Sequence, residues 1–287
     1  MAATIFAAMC CGYLTLCFLF YQGQWQLVLH PTRTSAPQSP VAAAAAQLIH
    51  FSPDESAIPQ LTGWWIPAAP GSRYASTTVL YLRGADGSLA DSTAALTALH
   101  TLGINIFAFD YRGYGQSSTT HPSQLHMTED ADAAWQYLIT SRAIPAHQIV
   151  PYGTGVGASI ATHLAATHGT VSALILESPQ SDLLEAALRD PRTQLIPARL
   201  LFHEIFPLAA SLAALRAPKL LLSTGMLPPA FKTAADPNFT AELSSTPALY
   251  AQPQYSQTIA RFLDQYLPPA SVSPLISPPA PGYRPTP

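Results

Sequence analysis

Three glycines stand at alternate positions in the stretch PYGTGVGASI, residues 151–160, and this spacing occurs in two kinds of functional site. Gly153, Gly155 and Ala158 match G-x-G-x-x-G/A, the loop that holds a dinucleotide pyrophosphate at a helix N-terminus. The same stretch matches G-x-S-x-G, the strained turn that exposes a nucleophilic serine, except that Gly155 stands at the serine position. The first pattern predicts a cofactor loop, and the second predicts a catalytic turn without its nucleophile.

The dinucleotide interpretation has one supporting residue and one difficulty. Glu177 ends the next apolar run, about twenty residues on, where that motif places the acid that binds a ribose. However, the motif normally follows the first strand of its domain, and at least two strand–helix units precede Gly153. An NAD(P)-binding oxidoreductase that depends on Glu177 therefore stays as an alternative.

Apolar runs that lack alternation recur between residues 47 and 267, and helical patterns separate them. These runs are TTVLYLRG, INIFAFD, HQIVPYG, VSALILES and PKLLLSTG. They predict an α/β protein with a mostly parallel central sheet covered by helices on both faces, whose ligands bind at the carboxyl ends of the strands. Residues 181–215 lie between the last two runs and predict a cap-like helical insertion over that edge.

Five stretches carry a family resemblance: LTGWWIP, VLYLRGADG, FAFDYRGYGQS, GTGVG and LILESP. In their order and spacing the chain resembles the α/β-hydrolase superfamily, in particular its membrane-anchored, serine-aminopeptidase-like branch. The resemblance covers roughly residues 20–265, and DYRGYGQS is its most distinctive piece. It implies an α/β-hydrolase fold over residues 30–267 and a serine hydrolase that acts on esters, amides or lipids.

The resemblance also implies where a catalytic triad should stand, and the sequence fills none of its places. The nucleophile position falls on Gly155. The acid should lie within a few residues of Gly225, but the first acid there is Asp236, which is too far along the chain. The histidine should precede the last helix, but no histidine follows His203. Because each triad member has a separate task, we expect a catalytically inactive or strongly impaired protein.

The oxyanion hole of the family depends on backbone amides, which substitutions need not remove. The resemblance assigns its donors to the N–H groups of Val156 and Ala85. The usual His-Gly of the preceding loop is Arg83-Gly84 here. Two interpretations of Arg83 stay open: it helps a helix N-terminus bind a carboxylate or phosphate, or it lies on the surface and pairs with Asp86.

An active hydrolase with a relocated nucleophile is the second alternative. Thr154 adjoins the elbow, but its side chain should point elsewhere than the nucleophile would. Ser159 lies inside the following helix, where we expect it to pack as a small residue. We expect polar side chains of the DYRGYGQSS turn to hold that turn together. They are Asp110, Arg112, Ser117 and Ser118.

Composition and spacing speak against several other classes of protein. The net charge is −3 and only two residues are lysines, so no basic surface predicts a nucleic-acid partner. The three cysteines all lie near the N-terminus, which excludes a disulfide framework in the rest of the chain. The histidines do not show the spacing of metal ligands, so no metal site or cofactor is predicted. They include His121, His126, His163, His168 and His203.

The two ends of the chain differ from the middle. Residues 3–21, ATIFAAMCCGYLTLCFLFY, are uncharged and reach about 30 Å as a helix, the thickness of a bilayer core. Residues 2–22 therefore predict a transmembrane anchor, with a signal peptide or a buried helix as alternatives. We expect the globular domain to be extracytoplasmic, although Arg33 is the only nearby cation that bears on orientation. Residues 268–287 are rich in proline and predict a disordered tail.

Overall fold

The computed structural model describes residues 1–34, 41, 45–54, 58–169, 171–180, 183–225, 228–244 and 248–267. The predicted tail, residues 268–287, lies outside this part of the chain, as do the first two residues of the predicted insertion.

An eight-stranded sheet forms the centre of the fold. Its strands are β1 (Gln47–Phe51), β2 (Leu61–Ile66), β3 (Tyr74–Leu82), β4 (Ile104–Asp110), β5 (Ile149–Thr154), β6 (Leu174–Glu177), β7 (Lys219–Thr224) and β8 (Asn238–Leu243). Their spatial order is β8-β7-β6-β5-β3-β4-β2-β1, and β2 is antiparallel to both of its neighbours while the other pairs are parallel. The predicted mostly parallel sheet is confirmed.

Nine α-helices accompany the sheet in the described part of the chain. They are α1 (Ala2–Gly23), α2 (Thr93–Thr101), α3 (Gln124–Gln136), α4 (Gly157–His168), α5 (Leu183–Ala187), α6 (Ala198–Leu201), α7 (Ala209–Ala214), α8 (Pro229–Lys232) and α9 (Pro253–Tyr266). Helices α5, α6 and α7 fall within the stretch predicted as a cap-like insertion.

Two apolar clusters, one on each face of the sheet, make up the core. The first contains Trp135 of α3 and Leu164 of α4, and the second contains Leu96 of α2 and Ile259 of α9. Strands buried on both faces need apolar side chains in both directions, which explains why their sequences do not alternate. The helices therefore cover both faces, as predicted.

The order of the strands changes side at β3. Strand β4 lies on one side of β3 and β5 lies on the other, so the connections that follow β3 and β5 leave the sheet in different directions. A crevice forms at such a switch point, at the carboxyl ends of the strands. Residues 83–92 and 155–157 therefore border the place where this fold binds ligands.

The N-terminus of α4 packs directly against the end of β3. A Cβ atom on Gly157 would overlap the carbonyl oxygens of Leu82 and Arg83, and one on Gly153 would lie 2.6 Å from the Cα of Ala158. Only glycine permits these approaches of backbone to backbone. The glycines of the GTGVG stretch thus set the distance between helix and sheet.

Helix α1 is exposed along most of its length, and Phe20 near its end packs against the first cluster. It has 22 residues, none of them buried, and carries no charged side chain. Its most apolar 18 residues have a mean hydropathy of 2.0, so the helix is long and apolar enough to cross a membrane. A signal sequence can have the same length and composition. The chain then enters the core without a linker, because Gln24 is 1% exposed and Leu29 is 1% exposed.

We expect Gly157→Ala to lower the free energy of unfolding by about 3 kcal/mol or more, because the added methyl overlaps backbone that cannot move aside. Gly169→Ala is the matched control, since its Cβ would meet nothing within 4 Å and only the positive φ of +60° is strained. That control should lose about 1–2 kcal/mol. Denaturant unfolding of the full chain in detergent micelles measures both, and equal losses would contradict the packing constraint.

Candidate functional site

Gly155 occupies the tip of the turn between β5 and α4. Its φ is +54°, its N–H donates to the carbonyl of Glu177 at 3.2 Å, and its carbonyl accepts from the N–H of Gln180 at 3.0 Å. A Cβ built on Gly155 would lie 3.3 Å from the Cα of Gly84 and 3.6 Å from Gln180 Oε1. A side chain here would thus project into the crevice, so the turn has the shape of a nucleophile elbow.

A cavity of about 240 Å³ lies above this turn, and we call it the elbow cavity. It is lined by Tyr81, Arg83, Gly84, Ala85, Asp86, Asp91, Ser92, Thr154, Gly155, Gln180 and Tyr250. Five of the residues singled out from the sequence meet here: Arg83, Gly84, Ala85, Thr154 and Gly155. Gly153 and Gly157 lie behind the elbow cavity, in the contact between strand and helix.

The two predicted oxyanion-hole amides donate no hydrogen bond within the described residues. Ala85 lines the elbow cavity, whereas Val156 is buried beside Gly155 and is not part of the lining. The Ala85 carbonyl accepts from the His30 N–H at 3.1 Å and from the Tyr114 hydroxyl at 2.8 Å, which fixes the peptide at this point of the loop. Buried donors without acceptors are costly, so a ligand oxygen is their natural partner.

The surface interpretation of Arg83 is wrong, and its side chain lines the elbow cavity. It is 3% exposed rather than on the surface, and its guanidinium lies 4.7 Å from the ring centre of Tyr114. Its Nη2 donates to the carbonyl of Asp86, while the Asp86 carboxylate binds His30 Nδ1 at 2.7 Å. The Nε and Nη1 atoms have no partner among the described residues and are shielded from solvent.

Tyr250 stands in the loop where the family resemblance places the catalytic histidine. Its hydroxyl donates to Glu177 Oε1 at 2.7 Å, and the Tyr152 hydroxyl donates to Glu177 Oε2. The Tyr152 hydroxyl also lies 2.8 Å from that of Tyr255. We call these four residues the tyrosine–glutamate cluster. Glu177 thus accepts hydrogen bonds from two tyrosines at its strand end and is 4% exposed, so its carboxylate is enclosed rather than open to a ribose.

Burial determines the proton affinities of this cluster. It raises the pKa of the Glu177 carboxyl, and the hydrogen bonds from Tyr152 and Tyr250 lower that pKa in part. Burial, together with the charge of Glu177, also raises the pKa of the Tyr250 hydroxyl. A hydroxyl that holds its proton this firmly cannot take a proton from a nucleophile at neutral pH. Tyr250 therefore does not replace a histidine base.

The other hydroxyl and acid candidates lie away from the elbow cavity or have structural partners. Ser159 is 5% exposed and its Oγ donates to the Pro207 carbonyl at 2.6 Å. Ser117 Oγ accepts from the Thr62 N–H at 3.0 Å and donates to the Asp110 carbonyl at 2.5 Å. Asp236 lies next to β8, where Asn238 Nδ2 donates to it at 2.9 Å.

Charged side chains hold the DYRGYGQSS turn, as predicted. Asp110 Oδ1 accepts from the Leu89 N–H at 2.7 Å. Arg112 pairs with Asp130 at 2.6 Å and with Glu129 at 2.6 Å. Ser118 Oγ contacts Thr120 Oγ1 at 3.3 Å, a surface contact.

The histidines also have separate partners. His126 Nδ1 lies 2.9 Å from the carbonyl of His121, and His168 Nε2 lies 3.0 Å from Asp132 Oδ1. The His163 ring contacts Thr167 Oγ1 at 3.4 Å. Across the described residues, no group of three or more metal-binding side chains comes together.

Sequence patterns missed Tyr81, Gln180 and Tyr250, which line the elbow cavity. Tyr250 carried a usable signal, because it lies in the stretch expected to contain the histidine. Gln180 carried little, since its position depends on the backbone bond between its N–H and the Gly155 carbonyl.

Comparison with known proteins decides between the two interpretations of the glycine stretch. The family described as "Serine aminopeptidase, S33", a hydrolase family, matches residues 75–233, which is more than half of the chain. The chain belongs to this α/β-hydrolase family. The match gives no support to the NAD(P)-binding alternative, whose glycine loop is the elbow of the hydrolase fold.

Relatives of the family differ in how much of the chain they share. An uncharacterized protein of Mycobacterium tuberculosis is 30% identical over 223 residues, or 77% of this chain and 75% of that protein. Alpha/beta hydrolase domain-containing protein 17C of Homo sapiens is 35% identical over 129 residues, or 45% of this chain and 38% of that protein. The shared region therefore includes most of the fold in the first case and about half in the second.

Solved structures agree with the fold. An esterase of Pyrococcus furiosus has a TM-score of 0.62 at 18% identity and covers 83% of this α/β-hydrolase and 97% of its own chain. An α/β-hydrolase of Vibrio vulnificus has a TM-score of 0.57 at 22% identity, over 77% of this chain and 79% of its own. At these identities the likeness concerns the fold alone.

The raised pKa of Glu177 predicts a pH-dependent contribution to stability. A carboxyl whose pKa is higher in the folded than in the unfolded state stabilises the fold below the unfolded pKa, and this contribution is lost as pH rises toward the folded pKa. We expect the difference in unfolding free energy between wild type and Glu177→Gln to fall as pH rises above about 4.3, by at most about 1.4 kcal/mol per pH unit.

Denaturant unfolding of both proteins at several pH values measures this difference. Glu185→Gln removes an exposed carboxylate outside the cluster and serves as the matched control. A wild-type minus Glu177→Gln difference that stays constant with pH would contradict the assigned direction of the shift.

Proposed function

We propose that the protein is a membrane-anchored α/β-hydrolase-fold protein that has lost serine-hydrolase catalysis and binds a small acyl or anionic ligand in the elbow cavity. The observation that carries the proposal is that Gly155 stands at the elbow while Tyr250 stands in the loop where the family has its histidine. In the family, the elbow supplies the attacking oxygen and that loop supplies the proton acceptor. Here Gly155 has no hydroxyl and Tyr250 is no base.

The backbone of the elbow supports a binding role. A serine at φ +54° costs about 1–3 kcal/mol of conformational strain, whereas glycine adopts this geometry without that cost. Once the hydroxyl lacks a base, the glycine is the more stable choice. The amides of Ala85 and Val156 keep their donors free for a carbonyl or carboxylate oxygen.

A second groove gives an acyl chain somewhere to lie. It has a volume of about 530 Å³, shares Asp86 and Gln180 with the elbow cavity, and extends to Leu27 and Val28. Most of its remaining lining is aliphatic or proline, so it suits hydrocarbon rather than charge. A ligand with a polar oxygen at the amides and a short hydrocarbon tail fits both spaces.

The junction of α1 with the domain supports an uncleaved anchor. Gln24, one residue after α1, is buried, and its side chain hydrogen-bonds residues far along the chain. Removal of α1 as a signal peptide would place a new, charged N-terminus beside this buried amide. An anchor that stays attached avoids that cost.

We expect the full chain in detergent micelles to show no activity-dependent labelling by a fluorophosphonate probe, because no serine at the elbow is activated. Heat-denatured protein provides the background. Gly155→Ser should also stay at background, since it restores the hydroxyl without a base, and Gly155→Ala controls for strain at the same position.

Labelling of the folded wild type above that background would overturn the loss of catalysis. Mass-spectrometric mapping of the labelled residue would then identify a relocated nucleophile. Labelling confined to Gly155→Ser would show that a base is present and would equally contradict the proposal.

Ligand binding is tested by isothermal titration calorimetry with hexanoate, which has one carboxylate and a short tail. Gly84→Leu should weaken binding about tenfold or more, because its side chain fills the elbow cavity. Gly84→Ala should bind like wild type, since a Cβ there lies 3.5 Å from the Thr154 carbonyl, an ordinary contact. Equal affinities for the two variants would exclude this cavity as the binding site.

A further inference from the structure

The base of α1 is fixed to the insertion that follows β6. Gln24 Nε2 donates to the Leu201 carbonyl at 3.1 Å and contacts His203 Nδ1 at 2.7 Å, and Gln24 Oε1 accepts from the His203 N–H at 2.7 Å. With Gln24 at 1% exposure, these bonds are partly shielded from water. Helix α1 therefore does not swing freely relative to α6.

Aromatic contacts hold the same junction from two sides. The ring centres of Tyr21 and His203 are 4.7 Å apart, and those of Trp25 and His121 are 5.3 Å apart in a stacked arrangement. His121 belongs to the segment that leads into α3, and the Gln124 N–H at the start of α3 donates to Glu204 at 2.6 Å. The segments around α6 and around the start of α3 thus both border the base of α1.

Exposed apolar side chains gather on these segments. In the chain that follows α1, six large apolar side chains of the described residues are exposed, and four of them belong to or adjoin the two segments. These four are Leu125, Leu195, Leu200 and Ile205, and we call them the apolar patch. Leu200 on α6 is 86% exposed and Leu195 is 76% exposed. Leucines exposed together beside an uncharged helix are a mark of an interaction surface.

We infer that the apolar patch rests on the bilayer that α1 crosses, so that the insertion lies against the membrane surface. The inference rests on the proposed anchoring by α1. A helix of 22 residues is about 33 Å long, close to the thickness of the hydrocarbon core, so its last turn lies at the membrane boundary. Because α6 contacts that last turn, the Leu200 side chain reaches the boundary between headgroups and acyl chains.

The charged side chains beside the apolar patch are compatible with a lipid surface as its partner. Arg199 directly precedes Leu200 on α6 and forms an ion pair with Glu185. Both side chains are exposed, with 67% and 64% of their surface accessible. An exposed ion pair of this kind contributes little, so the guanidinium can turn to lipid phosphates at small cost. Leucines that enter the acyl region beside an arginine at the headgroups make a typical interfacial helix surface.

The position of the patch is measured in the full chain with its three cysteines, all in α1, replaced by alanine. A single cysteine at position 195 or 200 carries a nitrobenzoxadiazole fluorophore, and the protein is reconstituted in phosphatidylcholine vesicles with doxyl-labelled lipid. The same fluorophore on Phe6→Cys, in α1, reports whether that helix lies in the bilayer. Thr101→Cys, exposed at the opposite edge of the sheet, is the control for a site in water.

We expect doxyl lipid to quench the fluorophores at 195 and 200 about twofold or more and to leave the fluorophore at 101 unchanged. If position 6 is quenched while 195 and 200 match 101, the anchor is real and the patch faces water, which overturns the inference alone. If position 6 is not quenched, anchoring itself fails and the inference falls with it. Near-ultraviolet circular dichroism verifies that each labelled variant keeps its tertiary structure.

Discussion

The contact between Gly157 and the end of β3 determines the shape of everything around the elbow. Helix α4 begins so close to the Leu82 carbonyl that a single added carbon would overlap it. This approach brings the loops after β3 and β5 together, and Gly84 and Gly155 face each other across a few ångströms as a result. The free amides of Ala85 and Val156 follow from the same geometry, because one belongs to each loop. The proposed binding surface is therefore backbone in origin, and it does not depend on a serine at position 155.

Under the proposed loss of catalysis, the side chains near the elbow favour stability over reactivity. A catalytic histidine exchanges protons near neutral pH, whereas the tyrosine–glutamate cluster holds its protons through burial and hydrogen bonds. Tyrosines 152 and 255 are fully enclosed, and their hydroxyls share one hydrogen-bond chain with Glu177. This chain of hydrogen bonds joins β5, β6 and α9 at the carboxyl ends of the strands. The proposed loss of catalysis and the gain of order thus concern the same part of the sheet edge.

The sequence was sufficient for the fold and insufficient for the chemistry of the cavity. Non-alternating apolar runs and the glycine stretch predicted a parallel sheet and its strand-to-helix turn, because both depend on local pattern and on the absence of side chains. The burial of Arg83 was not predicted, since nothing local reveals that Tyr114 and the Asp86 carbonyl enclose it. Tyr250 and Gln180 were missed because their positions depend on residues distant in sequence. Tyr250 contacts Glu177, 73 positions away, and Gln180 contacts Gly155, 25 positions away.

The absence of a linker between α1 and the core has a consequence for how the protein meets its ligands. A flexible tether would let the elbow cavity sample many heights and directions above the membrane. Gln24 and Leu29, buried within a few residues of the helix end, remove that freedom. The cavity then keeps one height and one direction relative to the axis of α1. With α1 as the proposed anchor, the protein would diffuse only in the plane of the membrane, and the local density of ligand in the lipid leaflet, rather than its bulk concentration, would set how often the cavity is filled.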